Sequence, residues 1–204
     1  MDDKQLIAIR QYQKYILRQR LRTIRCSVQN KEQKDKAITR HLIHSIAQIQ
    51  KIRQKKHIKN LFIYQSTQYE VDTKSIIEYY QNSLKIFVPY VDKLRNEMFA
   101  QKFTTVLSND TLVDDKTTFN LKLSDTLHNS LDDSITIVPI VGFTKYNYRL
   151  GQGGGYYDRY LASANTLSIG LAYDEQFCDY IPLENHDIPL NAIITPSNIM
   201  VNID

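Results

Sequence analysis

The chain has 204 residues, 42% hydrophobic and 24% charged, a balance that suits a globular domain with its own core. No apolar run is long enough to cross a membrane, and Met1-Asp-Asp-Lys lacks a signal peptide's apolar region, so neither a membrane nor a secreted protein is expected. The net charge of +4 divides unevenly: residues 1–60 carry 16 Lys and Arg against 4 Asp and Glu, a balance of +12, while the remainder carries −8.

Residues 4–28 form a polar, Arg-rich pattern of helical period with an apolar stripe at Leu17, Leu21, Ile24 and Val28. Lys14, Arg18 and Arg22 lie four apart and stack on a neighbouring face; Arg20, Arg22 and Arg25 read as side chains facing water. A second helix is predicted over residues 32–55, with Ile38, Leu42, Ile46, Ile49 and Ile52 at helical spacing. His41 and His44 on it are surface or core-edge residues, because no carboxylate or cysteine is spaced to share a metal with them.

A basic turn (Lys55, Lys56, His57, Lys59) leads into Leu61-Phe-Ile-Tyr64, a buried strand, and then into a loop. Asp72 or Thr73 caps the helix that follows, which runs to about Gln81, because a short oxygen side chain accepts from free N–H groups. Loops at the carboxyl ends of strands are where open α/β sheets bind ligands, although Glu70 alone reads as a solvated turn residue. Residues 84–90 make a strand ended by Pro89, and residues 91–133 a hairpin-like excursion or long surface loop. Further strands are predicted over 135–143, 167–173 and 192–195. Cys26 and Cys178 stand alone without CxxC spacing, which suits a reduced, cytoplasmic setting. Strands alternating with helices, without repeats, predict a three-layer α/β/α, Rossmann-like fold with a largely parallel sheet. The whole chain, 1–204, is expected to form one domain, its basic helical region covering about 1–57.

Four of the six glycines fall in Arg149-Leu-Gly-Gln-Gly-Gly-Gly-Tyr-Tyr-Asp-Arg159. A strand, a glycine loop and a helix start together make a phosphate cradle, where backbone N–H groups converge and the helix dipole adds positive potential. A flexible connector is the plainer reading, but connectors are not usually crowded by two arginines, two tyrosines and an aspartate. The loop has no Gly-Lys-Ser/Thr ending, and Tyr156 stands where G-x-G-x-x-G needs its last glycine.

The same stretch resembles the signature of the 5-formyltetrahydrofolate cyclo-ligase (methenyltetrahydrofolate synthetase) family. Lys14-Tyr-Ile-Leu-Arg18, Glu70-Val-Asp-Thr73, Ala172-Tyr-Asp-Glu-Gln176, Pro182 and His186-Asp187 follow the family's order, from Lys14 to Thr195. The resemblance implies ATP-dependent conversion of 5-formyltetrahydrofolate to 5,10-methenyltetrahydrofolate with release of ADP and phosphate, by way of a phosphorylated formyl group. It implies Lys14, Arg18, Arg149, Leu150, Gly151, Gln152, Gly153, Gly154, Gly155, Tyr156 and Tyr157 at ATP, with Arg149 and Lys14 acting in catalysis. Gln65, Glu70, Gln152, Gly153, Gly154, Gly155 and Tyr156 would contact the folate, and Asp158 and Asp187 would hold Mg²⁺. ATP and 5-formyltetrahydrofolate are then the expected partners of a monomer that uses neither nucleic acid nor membrane.

The chain departs from the family's usual pattern before the signature. Thr144 stands for an aspartate and Asn147 for a glycine, whose left-handed conformation asparagine can take. The competing reading is a non-catalytic relative that binds RNA through its basic N-terminal half. A sugar-phosphate isomerase-like domain is a weaker one, supported by the glycine loop alone.

Overall fold

The structure is a computed structural model that describes residues 2–52, 58–103 and 127–202. Two long helices come first, α1 (Asp3–Cys26) and α2 (Lys31–Ile52). Asp2 opens α1 with a capping box: its carboxylate accepts from Gln5 N at 2.7 Å and Gln5 Oε1 accepts from Asp2 N at 3.3 Å. Asn30, in the left-handed conformation at φ 53°, turns the chain between the helices.

The strands are β1 (Asn60–Ile63), β2 (Lys85–Asp92), β3 (Glu97–Lys102), β4 (Leu127–His128), β5 (Ser134–Pro139), β6 (Gly142–Phe143), β7 (Arg149–Leu150), β8 (Thr166–Leu171), β9 (Ala192–Ile194) and β10 (Ile199–Val201), with α3 (Lys74–Tyr80) and α4 (Tyr156–Ser163) between them. Among the described residues eight strands join one sheet in the order β10-β9-β8-β5-β1-β2-β3-β4. The five from β9 to β2 run parallel, and β10, β3 and β4 add antiparallel edges. This is the α/β, largely parallel architecture expected.

Alternation along β1 shows how the layers form. Leu61 and Ile63 pack on one face with Ile38, Leu42 and Ile46 of α2 and Ile76 of α3. Phe62 between them points to the other face and packs with Tyr160 of α4. Strands covered on both sides need near-continuous apolar runs, which is how β1 and β5 read.

The order of the strands places the site. From β1 the chain moves to β2 on one side, while β5 pairs with β1 on the other and leads outward to β8 and β9. The order in which strands are added therefore reverses between the parallel neighbours β1 and β5, and a crevice opens beyond their carboxyl ends.

Several expectations need correction. The strand read over 135–143 stops at Pro139; Gly142 and Phe143 leave the sheet to pair antiparallel with β7. The glycine loop thus follows a small hairpin rather than a long strand. Asn147 turns that hairpin at φ 60°, as its replacement of glycine suggested, and the buried Thr144 hydroxyl has no partner among the described residues. β2 does not end at Pro89 but runs on to Asp92, because β1 pairs only as far as Phe87 and leaves an open edge where a missing N–H costs little. Asp72, not Thr73, caps α3: it accepts from Lys74 N and from Ser75 N and Oγ. Of residues 91–133, β2 and β3 form the expected hairpin, and 104–126 lie outside the described residues, as do 53–57, which hold the end of the helix predicted over 32–55 and most of the basic turn. The edge strands β4 and β10 were not foreseen.

Candidate active site

The crevice holds a cavity of about 570 Å³, and every site residue expected from the sequence lines it. A larger, more open groove of about 870 Å³ runs between α2 and the loop after β1, but it gathers none of them. Six separate parts of the chain build the smaller cavity: α1, the loop after β1, the β2–β3 hairpin, the end of β5, the stretch from β7 into α4, and the loop before β9.

The glycine loop owes its shape to two residues. Gly153 and Gly155 take φ of 107° and 64°, where a side chain is strained. Gly155 is also the N-cap of α4, and no side chain caps that end, so the first N–H groups of the helix are left for a ligand. From α1, Arg18 Nε donates to Gly151 O at 2.9 Å, and its guanidinium lies against Gly153. One turn on, Arg22 Nη2 donates to Gln152 Oε1 at 2.6 Å. The loop is therefore held from outside by two arginines, and Arg22 is not simply solvated. Arg159, the last residue of the signature stretch but one given no role there, folds back to donate to Gly154 O at 2.9 Å and lies over the Tyr156 ring.

Arg149 is almost completely buried, its side chain 3% exposed, and it crosses the cavity floor. Its Nη2 donates to Asp158 Oδ1 at 2.9 Å and its Nη1 to Ile188 O at 3.0 Å. From α1, Lys14 Nζ sits 2.7 Å from both Glu184 Oε2 and Asp187 Oδ2, the latter one residue before Ile188. Glu184 N donates to Asp187 Oδ2 at 2.8 Å, which holds the acidic pair in register. Sequence reasoning missed Glu184, although its position three residues before Asp187, ahead of the His186-Asp187 pair, was the available signal.

Glu70 is not the solvated residue that an unaided reading gives. Its Oε2 accepts from Thr67 N at 2.9 Å and Thr67 Oγ1 at 3.0 Å, and its Oε1 lies 3.5 Å from Arg25 Nη1. Arg25 is itself buried, so the reading of it as water-facing is wrong: the last turn of α1 packs onto the end of β5, where Arg25 Nη1 also donates to Ile140 O.

Burial pushes the Tyr64 phenol far up, with Glu70 adding to the effect, and burial pushes Tyr157 up as well. Both hydroxyls therefore stay protonated at neutral pH. Burial, with the neighbouring Arg22, lowers Arg18 from its usual range. Cys178 is pushed up to about 11 by burial, so it is a thiol rather than a nucleophile at pH 7.

The ion pairs of Lys14 bear on its replacement. On an exposed helix face Lys14→Ala would cost little stability. Here it leaves two largely buried carboxylates without their cation, and about 3 kcal/mol of stability is expected to be lost. Urea unfolding of the parent and Lys14→Ala proteins measures this; an unchanged midpoint would show the pair to be solvent-screened.

The chain is similar to known proteins over most of its length. Residues 10–196 match the model of the 5-formyltetrahydrofolate cyclo-ligase family. The 5-formyltetrahydrofolate cyclo-ligase of Escherichia coli (strain K12) is 44% identical over 68 residues, covering 32% of this chain and 37% of that protein. The protein of the same description from Haemophilus influenzae is 28% identical over 188 residues, covering 87% of this chain and 95% of the relative. Among solved structures, the 5,10-methenyltetrahydrofolate synthetase of Mycoplasma pneumoniae superposes with a TM-score of 0.64 at 25% identity, over 90% of this chain and 98% of that one. Among the described residues no helix is long and apolar enough to cross a membrane. With a match running through nearly the whole chain and the signature residues gathered at the sheet's switch point, this protein belongs to the 5-formyltetrahydrofolate cyclo-ligase family of enzymes.

Proposed function

We propose that this protein converts 5-formyltetrahydrofolate and ATP to 5,10-methenyltetrahydrofolate, ADP and phosphate. The observation that carries the reading is the convergence of Lys14, Arg18, Glu70, Arg149, the glycine loop, Asp158 and Asp187 on one cavity. A formamide carbonyl is a poor electrophile. Its oxygen attacks the γ-phosphorus of ATP and ADP leaves; N10 of the folate then attacks the activated carbon, and that C–O bond breaks to release phosphate. Phosphoryl transfer asks the protein chiefly for positioning and charge neutralisation. The free N–H groups at the start of α4 and the guanidinium of Arg18 are placed to receive phosphate oxygens. Arg149 fixes the floor of the loop and carries positive charge to it from a position almost closed to water. Tyr156 lines the cavity with Gln65 and Glu70 on the side assigned to the folate, while the Tyr64 hydroxyl is spent on Val71 O.

The residues present fit Mg²⁺. Three cationic and four carboxylate side chains line the cavity, a balance that repels a bare triphosphate. Asp158 and Asp187 each keep one carboxylate oxygen without a bond among the described residues. No group of three or more His, Cys, Asp or Glu is assembled there among the described residues, which suits an ion completed by waters and substrate phosphates. When bound, Mg²⁺ would neutralise phosphate charge and orient the oxygens.

Lys14, Arg18 and Arg25 of the basic N-terminal half turn inward, which weighs against an RNA-binding surface there. Mixing the protein with 5-formyltetrahydrofolate and Mg-ATP is expected to give methenyl absorbance that requires ATP. Folded protein without that signal would overturn the reading. For the folate pocket, Glu70→Gln removes a charged acceptor worth about 1.5–3 kcal/mol, so KM for 5-formyltetrahydrofolate is expected to rise about 10- to 150-fold. ATP affinity measured without folate should be unchanged; the reverse pattern would put Glu70 at the nucleotide.

A further inference from the structure

Arg25 spans the point at which the sheet reverses. From the last turn of α1, Nη1 donates to Ile140 O at 3.3 Å, just past β5, and lies 3.5 Å from Glu70 Oε1 on the loop after β1. Those are the two neighbouring strands between which the strand order reverses and beyond whose ends the cavity lies. Arg25 is 9% exposed, and its Nε has no partner among the described residues.

Glu70 is meanwhile fixed from three directions. Its Oε2 is taken by Thr67 of its own loop, and its backbone carbonyl accepts from Tyr173 Oη at 3.1 Å, from just beyond β8. Oε1 faces only Arg25 among the described residues, at a distance on the outer edge of a hydrogen bond, so it keeps acceptor capacity for a ligand. With the side chain 11% exposed, the carboxylate charge needs a cation near it, and Arg25 is the one it is paired with.

We propose that Arg25 is a positioning residue for the folate: its guanidinium holds the charge and direction of Glu70 so that Oε1 meets the N–H donors of the pterin or aminobenzoyl group. This rests on the reading of Glu70 as a folate ligand. Arg25 does not line the cavity, so it acts through Glu70 and not by touching the ligand. Two expectations separate it from a core arginine that only stabilises the fold. Its loss should weaken folate and leave ATP alone, and the effect should vanish once Glu70 carries no charge.

The test is equilibrium titration of 5-formyltetrahydrofolate and, separately, of Mg-ATP into the full-length parent and into Arg25→Met, Arg25→Lys, Glu70→Gln and the Arg25→Met/Glu70→Gln double variant. Arg25→Met is expected to raise the folate Kd about tenfold, the loss of one charge-assisted contact, with the ATP Kd within about twofold. Arg25→Lys should restore most of the affinity, because the contact is through a single nitrogen and not a bidentate fork. In the Glu70→Gln background Arg25→Met should add less than about twofold, since coupled residues are not additive. Should Arg25→Met not fold, Arg25→Gln, which keeps an N–H donor without the charge, carries the same comparison. An unchanged folate Kd, equal losses for ATP and folate, or full additivity with Glu70→Gln would overturn the proposal. A parent that binds no 5-formyltetrahydrofolate would overturn the folate reading itself, and is told apart because it appears before any substitution.

Discussion

Gly155→Val is expected to reduce turnover by at least about 100-fold while leaving the protein folded. Gly155 takes φ 64° as the N-cap of α4, a conformation that a β-branched residue adopts only with strain. A Cβ there would also lie 2.7 Å from Arg159 Nη1, the side chain whose other terminal nitrogen holds Gly154 O. Arg159 can swing aside at the expense of its bond to Gly154 O, but the strain at φ 64° remains, so the loop shifts and the N–H groups proposed to receive phosphate shift with it. The main core lies on the opposite face of the sheet among α2, α3, β1 and β5, so it stays intact. Steady-state kinetics set beside thermal unfolding separates the two quantities. Activity close to the parent's would mean that the glycine stretch is only a connector.

Asp158→Asn should be the most damaging single change, because Asp158 is proposed to serve both the ligand and the protein. Its Oδ1 accepts from Arg149, whose side chain is 3% exposed, and lies 3.4 Å from Ile188 N. Asparagine preserves the shape but leaves the guanidinium without its counter-charge, a loss of about 3–5 kcal/mol for a buried pair. The proposed metal also loses one of its two carboxylates, so the rate should fall sharply and stay low at every Mg²⁺ concentration. A magnesium titration of activity, set beside urea unfolding, checks both parts. Full recovery at high Mg²⁺ would reduce Asp158 to an auxiliary ligand, and unchanged stability would show that Arg149 finds another partner.

Much of this molecule is written locally. Ile38, Leu42 and Ile46 at helical spacing specify the buried stripe of α2, although Ile52, read as its last member, is exposed at the helix end, and Leu61-Phe-Ile specifies a strand covered on both faces. The glycine stretch announced positive φ, found at Gly153 and Gly155, and the ordered motifs named the family. Such features are legible because periodicity and backbone conformation are properties of neighbouring residues. Boundaries were less so: Pro89 is tolerated within β2 only because β1 stops short of it, which depends on pairing between distant segments.

What the tertiary structure alone decided is which charges are spent on one another. Lys14 meets Asp187 across 173 positions of chain, Arg25 meets Glu70 across 45, and Arg18 reaches Gly151 across 133. From the sequence, Arg18 and Arg25 are two cations on one helix, and nothing in their neighbours says that one clamps the glycine loop while the other is buried against Ile140 and Glu70. An ion pair depends on the distance between its charges in space and on the water removed around them, and both are set only once α1 lies across the ends of the strands.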